Sequence, residues 1–179
     1  SGQCVLVTGG ATGLGFAIAT AFGMAGARIA INDLTPERVE RAAAGLQRAG
    51  VECRGYAADV RDGQAVRAMV ERATAELGAP DVAVLNAGIY PNTPLLEISE
   101  EEWDRVLDTN LKGAFMTAQA AARAMIGAGK GGQLILLSSG AANAAFRGWA
   151  HYCASKAGVA MLARSLALEL GEHGIRANA

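Results

Sequence analysis

The sequence predicts a single α/β domain in which helices cover both faces of a doubly wound parallel sheet. Short apolar runs of strand length alternate with longer segments of helical period along the 179 residues, as in parallel sheets buried on both faces. The first apolar run leads into a glycine-rich turn and then into a helical segment, which is a second sign of this fold class. No repeat, low-complexity tract or linker divides the chain, so we expect one domain over residues 1–179.

Six strands and the helices between them follow from the spacing of apolar residues and from the residues that start or stop a segment. The strands are predicted at residues 4–8, 27–31, 52–57, 81–85, 133–137 and 174–179. The helices are predicted from residue 16, from residue 36 to about 49, from about 62 to 77, after residue 99 and around residue 152. Pro36 suits the first position of its helix, and Gly78 with Pro80 ends the next one.

The helix after residue 99 has a recognisable start and a predicted buried face. Ser99 and Glu102 have the spacing of a capping box, in which each side chain bonds the backbone N–H of the other residue. The apolar stripe, which recurs at helical spacing, consists of Trp103, Val106, Leu107, Leu111, Ala114 and Phe115. Asn110 falls on the same stripe, where a buried amide is costly unless it is hydrogen-bonded.

The composition argues against several classes of function. A net charge of −1 argues against a nucleic-acid partner. The chain contains no run of about 18 apolar residues, which argues against a transmembrane helix and a membrane partner. The two histidines do not have the spacing of metal ligands. Cys4, Cys53 and Cys153 are odd in number and far apart, and no secretion signal precedes the first strand, so we expect a cytoplasmic protein.

A glycine-rich turn after the first strand is the first candidate binding site. It carries the motif T-G-x-x-x-G-x-G over residues 8–15. Glycines let the backbone approach a pyrophosphate, and the following helix offers free N–H groups and a favourable dipole. An ordinary strand-to-helix turn is the simpler alternative. Asp33, which lies 18 residues past Gly15 at the end of the second strand, favours a nucleotide site.

Tyr152 and Lys156 form the candidate catalytic pair. They are four residues apart and therefore fall on the same face of a helix. A nearby ammonium favours the phenolate form of a tyrosine, which makes the phenol a usable general acid or base near neutral pH. The spacing alone is weak evidence, because it occurs by chance in many helices.

Together these motifs resemble the short-chain dehydrogenase/reductase family, and the resemblance extends over essentially the entire chain. Besides the glycine motif and the Tyr152/Lys156 pair, it rests on D-V at residues 59–60, N-A-G at residues 86–88, Asn110 and a serine at the end of the fifth strand. The resemblance implies a Rossmann fold and an NAD-dependent oxidoreductase that transfers hydride between the nicotinamide and a secondary alcohol or ketone. The substrate class, whether sugar, polyol, steroid or hydroxy acid, stays open.

The resemblance also assigns a role to each motif residue. Tyr152 would be the general acid/base, and Lys156 would make its phenol more acidic and hold the nicotinamide ribose. Ser139 would bond the substrate oxygen, with Ser138 as the less favoured neighbour, and Asn110 would hold a water that links Lys156 to solvent. The residues implied at the cofactor are Gly9, Thr12, Gly13, Leu14, Gly15, Asp33, Leu34, Asp59, Val60, Asn86, Ala87 and Gly88, together with Tyr152 and Lys156.

Asp33 favours NAD over NADP as the cofactor. An acid at the end of the second strand can accept hydrogen bonds from both hydroxyls of the adenosine ribose, and it would repel a 2′-phosphate. Thr12 and Leu34 occupy the positions that could supply a compensating cation, and both are uncharged. Arg38 lies a helical turn further on, and we do not expect it to reach back. A loop-capping role is the alternative for Asp33.

Other residues near the catalytic pair receive non-catalytic roles. His151 lies about 100° round the helix from Tyr152, which favours a packing or surface position, and Cys153 is expected to be structural. Arg147 and Trp149 could line the substrate pocket, although an ordinary polar loop would have the same composition.

Two alternatives to an NAD-dependent dehydrogenase stay open. An NADPH-dependent 3-oxoacyl reductase is disfavoured by Asp33. A non-catalytic NAD-sensing or scaffold protein on the same fold is disfavoured by the intact set of Ser139, Tyr152 and Lys156, because a pure binder has no use for an acidic phenol.

The resemblance further implies an assembly and missing terminal segments. Family members commonly pair two helices between subunits, so we expect a homotetramer built through the Asn110 and Tyr152 helices. The small residues that would allow this approach are Ala118, Ala120, Ala121, Ala122, Ala160, Ala163 and Ala167. Members also continue past the sixth strand with a helical substrate lid and a last strand, which residues 1–179 do not include, so we expect the chain to be incomplete at both ends.

Overall fold

The computed structural model describes residues 2–179, which form a six-stranded parallel sheet covered by helices. The strands are β1 (Cys4–Thr8), β2 (Arg28–Asp33), β3 (Cys53–Ala57), β4 (Val82–Leu85), β5 (Gly132–Leu136) and β6 (Ile175–Asn178). They stand in the order β3-β2-β1-β4-β5-β6, and every neighbouring pair is parallel. The predicted doubly wound sheet is confirmed, and each predicted strand boundary lies within two residues of the observed one.

The helices start largely where the sequence places their caps. They are α1 (Gly13–Met24), α2 (Pro36–Arg48), α3 (Gly63–Leu77), α4 (Glu100–Leu107), α5 (Gly113–Gly127) and α6 (Ala150–Leu170). Ser99 Oγ accepts the N–H of Glu102 at 3.1 Å, which is one half of the predicted capping box. The Glu102 carboxylate bonds His151 instead of returning to the Ser99 backbone.

The sheet separates two hydrophobic clusters. On one face α1 and α2 pack over β1 and β2, where Ile29, Ile31 and Leu46 are buried. On the other face α3, α5 and α6 pack over the sheet and bury Leu6 and Leu134. This division places the glycine turn and the start of α6 on opposite faces but at the same edge, because in a parallel sheet all carboxyl ends of strands meet there.

The small residues of α5 and α6 pack inside the chain itself. Five of the seven named above are at most 8% exposed and belong to the core under the sheet: Ala118, Ala120, Ala121, Ala122 and Ala163. They are therefore not available to a second subunit, and the prediction that they lie between subunits is wrong. Their small side chains instead allow α5 and α6 to approach the sheet closely, at the packing density of a protein interior.

A wider, π-type turn joins α4 to α5 over Asp108–Lys112. Such a turn inserts one extra residue and so rotates the following helix by about 100° relative to an unbroken 3.6-residue period. Phe115, predicted to be buried, is 43% exposed, whereas the preceding residues Gly113 and Ala114 continue the buried face into α5. Trp103 is 39% exposed, because α4 packs mainly against α6 and buries only a narrow face at Val106. The predicted stripe is wrong at Phe115 and Trp103 and confirmed at Val106 and Ala114.

Two further properties concern the whole of residues 2–179. None of the helices in this range combines the length and the apolar character that crossing a membrane requires. No three His, Cys, Asp or Glu side chains in this range lie close enough together to hold a metal ion.

Candidate active site

A cavity of about 670 Å³ opens at the carboxyl ends of the strands, where ligands bind in open α/β sheets. Most of the residues predicted to bind the cofactor or to act in catalysis line this cavity: Gly9, Thr12, Gly13, Leu14, Gly15, Asp33, Leu34, Asp59, Val60, Asn86, Ala87, Gly88, Tyr152 and Lys156. Asn110 and Ser139 do not line it. The fold therefore brings the glycine turn, the ends of β2 to β4 and the first turn of α6 into one site.

The glycine turn has a backbone that side chains would obstruct. Gly9 and Gly13 have φ of 59° and 54°, a conformation that favours glycine. A Cβ on Gly9 would lie 2.9 Å from the Cα of Ala87, and a Cβ on Gly15 would collide with the carbonyl oxygen of Gly9. The Thr12 side chain does not cap α1, so the first N–H groups of this helix remain available. The turn fits the pyrophosphate of a dinucleotide.

Asn86 holds the glycine turn against the end of β4. Its Nδ2 donates to the carbonyl oxygens of Thr8 and Gly9, each at 3.0 Å. The Thr8 hydroxyl oxygen in turn accepts the backbone N–H groups of Asn86 and Ala87, at 3.1 Å and 3.2 Å. The N-A-G motif thus fixes the shape of the site from the side opposite α1.

Asp33 is buried at the end of β2 and forms an ion pair that the sequence did not lead us to expect. Its Oδ1 lies 3.0 Å from Nη1 of Arg38, which reaches back from the first turn of α2 and is half-exposed in the cavity wall. The same carboxylate accepts the N–H of Leu34 at 2.9 Å and the N–H of Ala11 at 3.2 Å. The expectation that Arg38 would not reach back is wrong, because a side chain one turn along a helix can fold over the N-terminus. Asp33 also caps the following loop in part, as the alternative interpretation predicted, because it accepts the N–H of Leu34.

Asp59 and Val60 border the cavity beyond Asp33. The Asp59 carboxylate receives three hydrogen bonds from the Arg61 guanidinium, the shortest being 2.6 Å. This contact with Arg61 holds the pKa of Asp59 below its usual range, against the opposing effect of partial burial. Val60 is buried against Gly113. A Cβ added to Gly113 would lie only 2.8 Å from Cγ2 of Val60. Two carboxylates of the site therefore carry arginine partners.

Lys156 and Tyr152 are placed together as the spacing predicts. The Lys156 ammonium is 5.7 Å from the centre of the Tyr152 ring and donates to the carbonyl oxygen of Leu137 at the end of β5. Lys156 is only 6% exposed, and this burial lowers its pKa. An ammonium has three protons, so two remain for other partners after the bond to Leu137.

The two serines after β5 differ in what their hydroxyl groups do. Ser138 lines the cavity, but its Oγ donates to the carbonyl oxygen of Lys156 at 3.0 Å. Ser139 Oγ accepts the N–H of Ala141 at 3.1 Å, which leaves its own proton free to donate. The cavity wall thus contains the serine that we expected to be less important.

Asn110 is buried in the π-type turn and ties three segments together. Its Nδ2 donates to Ile89 O and to Ser155 Oγ, and its Oδ1 accepts the N–H of Ile89 at 2.8 Å. Every polar atom of the amide on the apolar stripe therefore has a partner, and both of its protons are used. A Cβ on Gly88 would lie 3.2 Å from Asn110 Oδ1 and 3.6 Å from Lys156 Nζ, so the missing side chain of Gly88 leaves a space between the two.

Aromatic rings surround the phenol. Tyr90, which also lines the cavity, meets Tyr152 edge to face at a centroid distance of 6.2 Å. Trp149 meets Tyr152 at 5.5 Å, and Phe146 meets Trp149 at 5.7 Å. Trp149 and Arg147 do not line the cavity themselves, so their part in a substrate pocket is indirect at most.

Sequence reasoning missed three side chains at this site. Arg38 and Arg61 cover the two acids, and the only available signal was their short separation from Asp33 and Asp59. His151, placed in packing or at the surface, is completely buried and hydrogen-bonded at both nitrogens. No sequence pattern pointed to these bonds, because the partner Glu102 is 49 residues away.

Comparisons with known proteins agree with one another. The family model for short chain dehydrogenases matches residues 3–179. A D-threitol dehydrogenase from Mycolicibacterium smegmatis is 42% identical over 177 residues, which are 99% of this chain and 68% of that protein. A 3-oxoacyl-(acyl-carrier-protein) reductase from Staphylococcus aureus is 38% identical over 178 residues, 99% of this chain and 72% of the reductase. The crystal structure of a short chain dehydrogenase from Mycobacterium smegmatis matches with a TM-score of 0.97 and 35% identity, over 100% of this chain and 75% of that one.

Proposed function

Because this chain belongs to the short-chain dehydrogenase family, we propose that it is an NAD-dependent oxidoreductase that interconverts a secondary alcohol and a ketone. Residues 1–179 would form the domain that carries both the cofactor site and the catalytic residues. The observation that carries the proposal is the shared cavity, which Tyr152 and Lys156 line together with the glycine turn and Asp33. A scaffold or sensor would need the nucleotide half of this cavity but not the catalytic pair.

The catalytic steps assigned to the chain concern one proton and one oxygen atom. In oxidation, Tyr152 takes the proton of the substrate hydroxyl, and in reduction it returns a proton to the carbonyl oxygen. Of the two serines, Ser138 lines the cavity, but its proton is already bonded to the Lys156 carbonyl. We therefore assign the bond to the same oxygen to Ser139, whose proton is free. The nicotinamide, when bound, supplies or accepts the hydride. The rigid ends of β5 and α6 hold these groups in the reactive geometry, and this positioning supplies the rest of the rate acceleration.

Lys156 would act on the phenol and on the nicotinamide ribose with the two protons left after its bond to Leu137. Its positive charge lies in a buried position, 5.7 Å from the centre of the Tyr152 ring. Both amide protons of Asn110 are used, but its Oδ1 accepts only one hydrogen bond, so its second lone pair would hold a water in the space beside Gly88 and so link Lys156 to solvent.

NAD is the cofactor that we propose, and Asp33 supports it. The carboxylate lines the cavity and accepts three hydrogen bonds, two at Oδ1 and one, from the Ala11 N–H, at Oδ2. Oδ2 can therefore accept one more hydrogen bond, from a ribose hydroxyl. Arg38 weakens this argument, since a half-exposed guanidinium is a suitable partner for a 2′-phosphate. We therefore expect a preference for NAD that is smaller than Asp33 alone would produce.

A small polyol is the substrate class that the comparisons support best. The most similar relative described above, at 42% identity, is a D-threitol dehydrogenase. Tyr90 and the ring of Tyr152 present an aromatic surface next to the reacting oxygen, against which the C–H groups of a polyol can pack. The alternative, an NADPH-dependent 3-oxoacyl reductase, is favoured by Arg38 and by the relative from Staphylococcus aureus.

The test is a substrate screen on the full-length protein with both cofactors. NADH formation would be followed with D-threitol, other polyols, sugars, steroids and hydroxy acids, and NADPH consumption with 3-oxoacyl thioesters. We expect turnover with NAD and a short polyol. Turnover with a 3-oxoacyl thioester and NADPH alone would favour the reductase, and binding of either cofactor without any turnover would favour the sensor.

We also propose a cytoplasmic homotetramer. The three cysteines are free in the structure, in keeping with a reducing compartment. The exposed face of α6 presents Ala154, Ala157, Met161 and Leu168 at helical spacing, which makes this face, rather than the buried alanines, the surface for a second copy.

A further inference from the structure

His151 occupies an unusual position for an imidazole at the start of a helix. It is completely buried, in the first turn of α6, directly before Tyr152. Its Nδ1 accepts the backbone N–H of Tyr152 at 2.9 Å, and its Nε2 lies 3.0 Å from Oε1 of Glu102 on α4. Both ring nitrogens are thus used inside the protein, and neither faces the cavity.

These two bonds determine the protonation of the ring. A nitrogen that accepts a backbone N–H must carry a lone pair, so Nδ1 is unprotonated. Nε2 then carries the proton and donates it to the Glu102 carboxylate. This carboxylate is 21% exposed, and its pKa is lowered by hydrogen bonds from Thr93 first and from His151 second. The chain of bonds runs from a carboxylate through a neutral imidazole to the backbone of Tyr152.

The bond to Tyr152 replaces a missing helix cap. The first N–H groups of a helix have no partner within the helix, and the residue before α6, Trp149, makes no side-chain cap. The first backbone bond of the helix is the N–H of Cys153 to Trp149 O, at 2.7 Å. The N–H of Tyr152 would therefore be unpaired without His151. The residue that carries the reacting phenol is held by its neighbour.

Glu102 connects this anchor to the loop that follows β4. The Thr93 side chain lowers the pKa of the Glu102 carboxyl, and the backbone N–H of Thr93 donates to Gly148 O at 2.9 Å, just before α6. The same carboxylate lies 3.9 Å from the exposed guanidinium of Arg105. The start of α6 is consequently tied to α4 and to the loop at the cavity mouth, rather than to the sheet alone.

We propose that Glu102 and His151 are positioning residues, which hold the backbone of Tyr152 so that its phenol meets the substrate oxygen. The inference rests on the proposed function, because it takes Tyr152 as the acid/base. A small displacement of a catalytic group can cost about 100-fold in rate. Loss of the anchor therefore lowers kcat and leaves the binding of the cofactor nearly unchanged, since neither His151 nor Glu102 lines the cavity and Lys156 keeps its own bond to Leu137.

Two substitutions at His151 separate the hydrogen bond from the filling of space. In His151→Asn the amide oxygen takes the place of Nδ1 and can accept the Tyr152 N–H, but volume is lost. His151→Leu keeps most of the volume and has no acceptor. We expect His151→Leu to lower kcat by about 10- to 100-fold with little change in NADH affinity. His151→Asn keeps the acceptor for Tyr152 but not the bond to Glu102, so we expect it to lose clearly less activity than His151→Leu. The reverse order would mean that His151 only fills space, and would overturn the proposal.

Glu102 supplies a second, independent pair of variants in case His151→Leu does not fold. Glu102→Gln keeps an oxygen that accepts the Nε2 proton, whereas Glu102→Ala does not. We expect Glu102→Gln to stay close to wild type and Glu102→Ala to lose kcat. Equal kcat in these two variants would contradict the proposal.

A spectroscopic measurement on the wild-type protein tests the arrangement without any turnover. Long-range proton–nitrogen NMR spectra of protein labelled with 15N-histidine distinguish the two tautomers and the charged ring, and His173, the other histidine of the chain, is assigned with His173→Gln. We expect the neutral Nε2–H form for His151 at pH 7. A proton on Nδ1 would overturn the inference. Tyr152→Phe is measured in the same series: an active Tyr152→Phe protein would reject the proposed function, whereas an inactive one beside a fully active His151→Leu protein would reject only this inference.

Discussion

Tyr152 and Lys156 are the residues on which the proposed chemistry depends most directly. They lie one turn apart on α6, and the buried ammonium points at the ring and at the end of β5. Around them, Asn110 and His151 are buried polar side chains in which every polar atom has a hydrogen-bond partner. Buried polar groups of this kind are costly unless every bond is made, so their geometry is strongly defined.

The first prediction is that Tyr152→Phe abolishes turnover but not cofactor binding. Phenylalanine keeps the ring contacts with Tyr90 and Trp149 and removes only the hydroxyl that exchanges the proton. Steady-state kinetics and a fluorescence titration with NADH measure the two properties separately. A variant with a tenth or more of wild-type kcat would rule out the catalytic assignment. Lys156→Ala, by contrast, is expected to weaken both binding and rate.

The second prediction concerns the ion pair of Asp33 and Arg38. Loss of a charge-assisted hydrogen bond costs roughly 1.5–3 kcal/mol, so Asp33 alone would give a preference of about tenfold or more for NADH over NADPH. With Arg38 beside it, the wild type is expected to prefer NADH by a smaller factor. Arg38→Ala removes the cation that could meet a 2′-phosphate and should increase this ratio, whereas Asp33→Ala should decrease it. Dissociation constants from fluorescence titrations give the ratio directly.

Arg41→Ala is the matched control for this pair, because Arg41 is an exposed arginine on the same helix, α2. It should leave the ratio unchanged. If Arg38→Ala weakened NADH and NADPH equally, the guanidinium would not face the 2′ position, and its role would be to cap the helix start. Equal affinity of the wild type for both cofactors would remove the case for NAD.

At the scale of the elements, Asp81 joins three strands at the amino ends of the sheet. Its Oδ2 accepts the N–H of Cys4 at the start of β1 at 2.7 Å, and its Oδ1 lies 2.7 Å from the ammonium of Lys130. Lys130 also bonds Ala79 O, and the carbonyl oxygen of Asp81 accepts the N–H of Gln133 in β5. These bonds around Asp81 lie at the opposite edge of the sheet from the candidate active site, so Asp81 can be substituted without changing the catalytic residues.

The third prediction is that Asp81→Asn lowers the free energy of unfolding by roughly 1–2 kcal/mol at pH 7. This value is at the low end for hydrogen bonds to charged groups, because the Asp81 side chain is 28% exposed and solvent weakens the interaction. Burial acts to raise the pKa of Asp81, but Lys130 and the Cys4 N–H outweigh it, and the pKa is lowered. A carboxyl whose pKa is lower in the folded state stabilises the fold above its unfolded pKa of about 3.9. The stabilisation is lost as pH falls through the folded value.

Urea unfolding of wild type and Asp81→Asn at pH 7 and at successively lower pH tests this dependence. The difference between the two proteins should shrink below pH of about 3.9. Asp104→Asn, at an exposed position of α4, is the control and should have little effect at any pH. A difference that does not change with pH would show that the Asp81 charge is not involved.

At the scale of the whole molecule, the chain leaves apolar side chains exposed on the outer faces of α5 and α6. Phe115 on α5 is 43% exposed, and Met161 and Leu168 on α6 are 58% and 86% exposed. Side chains of this size on adjoining helices, aligned at helical spacing, are typical of a surface that pairs with another chain.

The fourth prediction is that the full-length protein is a tetramer and that arginine on this face dissociates it. Met161→Arg and Leu168→Arg place charges in an apolar contact and should reduce the molar mass measured by light scattering. Glu40→Arg, on the exposed side of α2, should leave the mass unchanged. A wild-type protein that is monomeric at micromolar concentration would contradict the assembly.

Much of this molecule could be predicted from local patterns. The strand positions, the starts of α2 and α3, the parallel topology and the membership of the cavity follow from apolar period, capping residues and glycine spacing, because each of these acts over a few residues. Gly9, Gly13 and Gly15 stand beside Asp33 in the structure because parallel strands place all their carboxyl ends at one edge. The sequence by itself therefore determined the fold class, the family resemblance and the place of the site.

The tertiary structure alone decided which partner each polar side chain takes. Arg38 reaches Asp33, Glu102 leaves its capping box for His151, and Asn110 bonds Ile89 and Ser155. It also decided that Phe115 faces outward and that the alanines of α5 face the sheet. The physical reason is the same in each case. A hydrogen bond or a buried face depends on positions within a few ångströms, and those positions are determined by segments far apart in the chain that meet only when the whole sheet has formed.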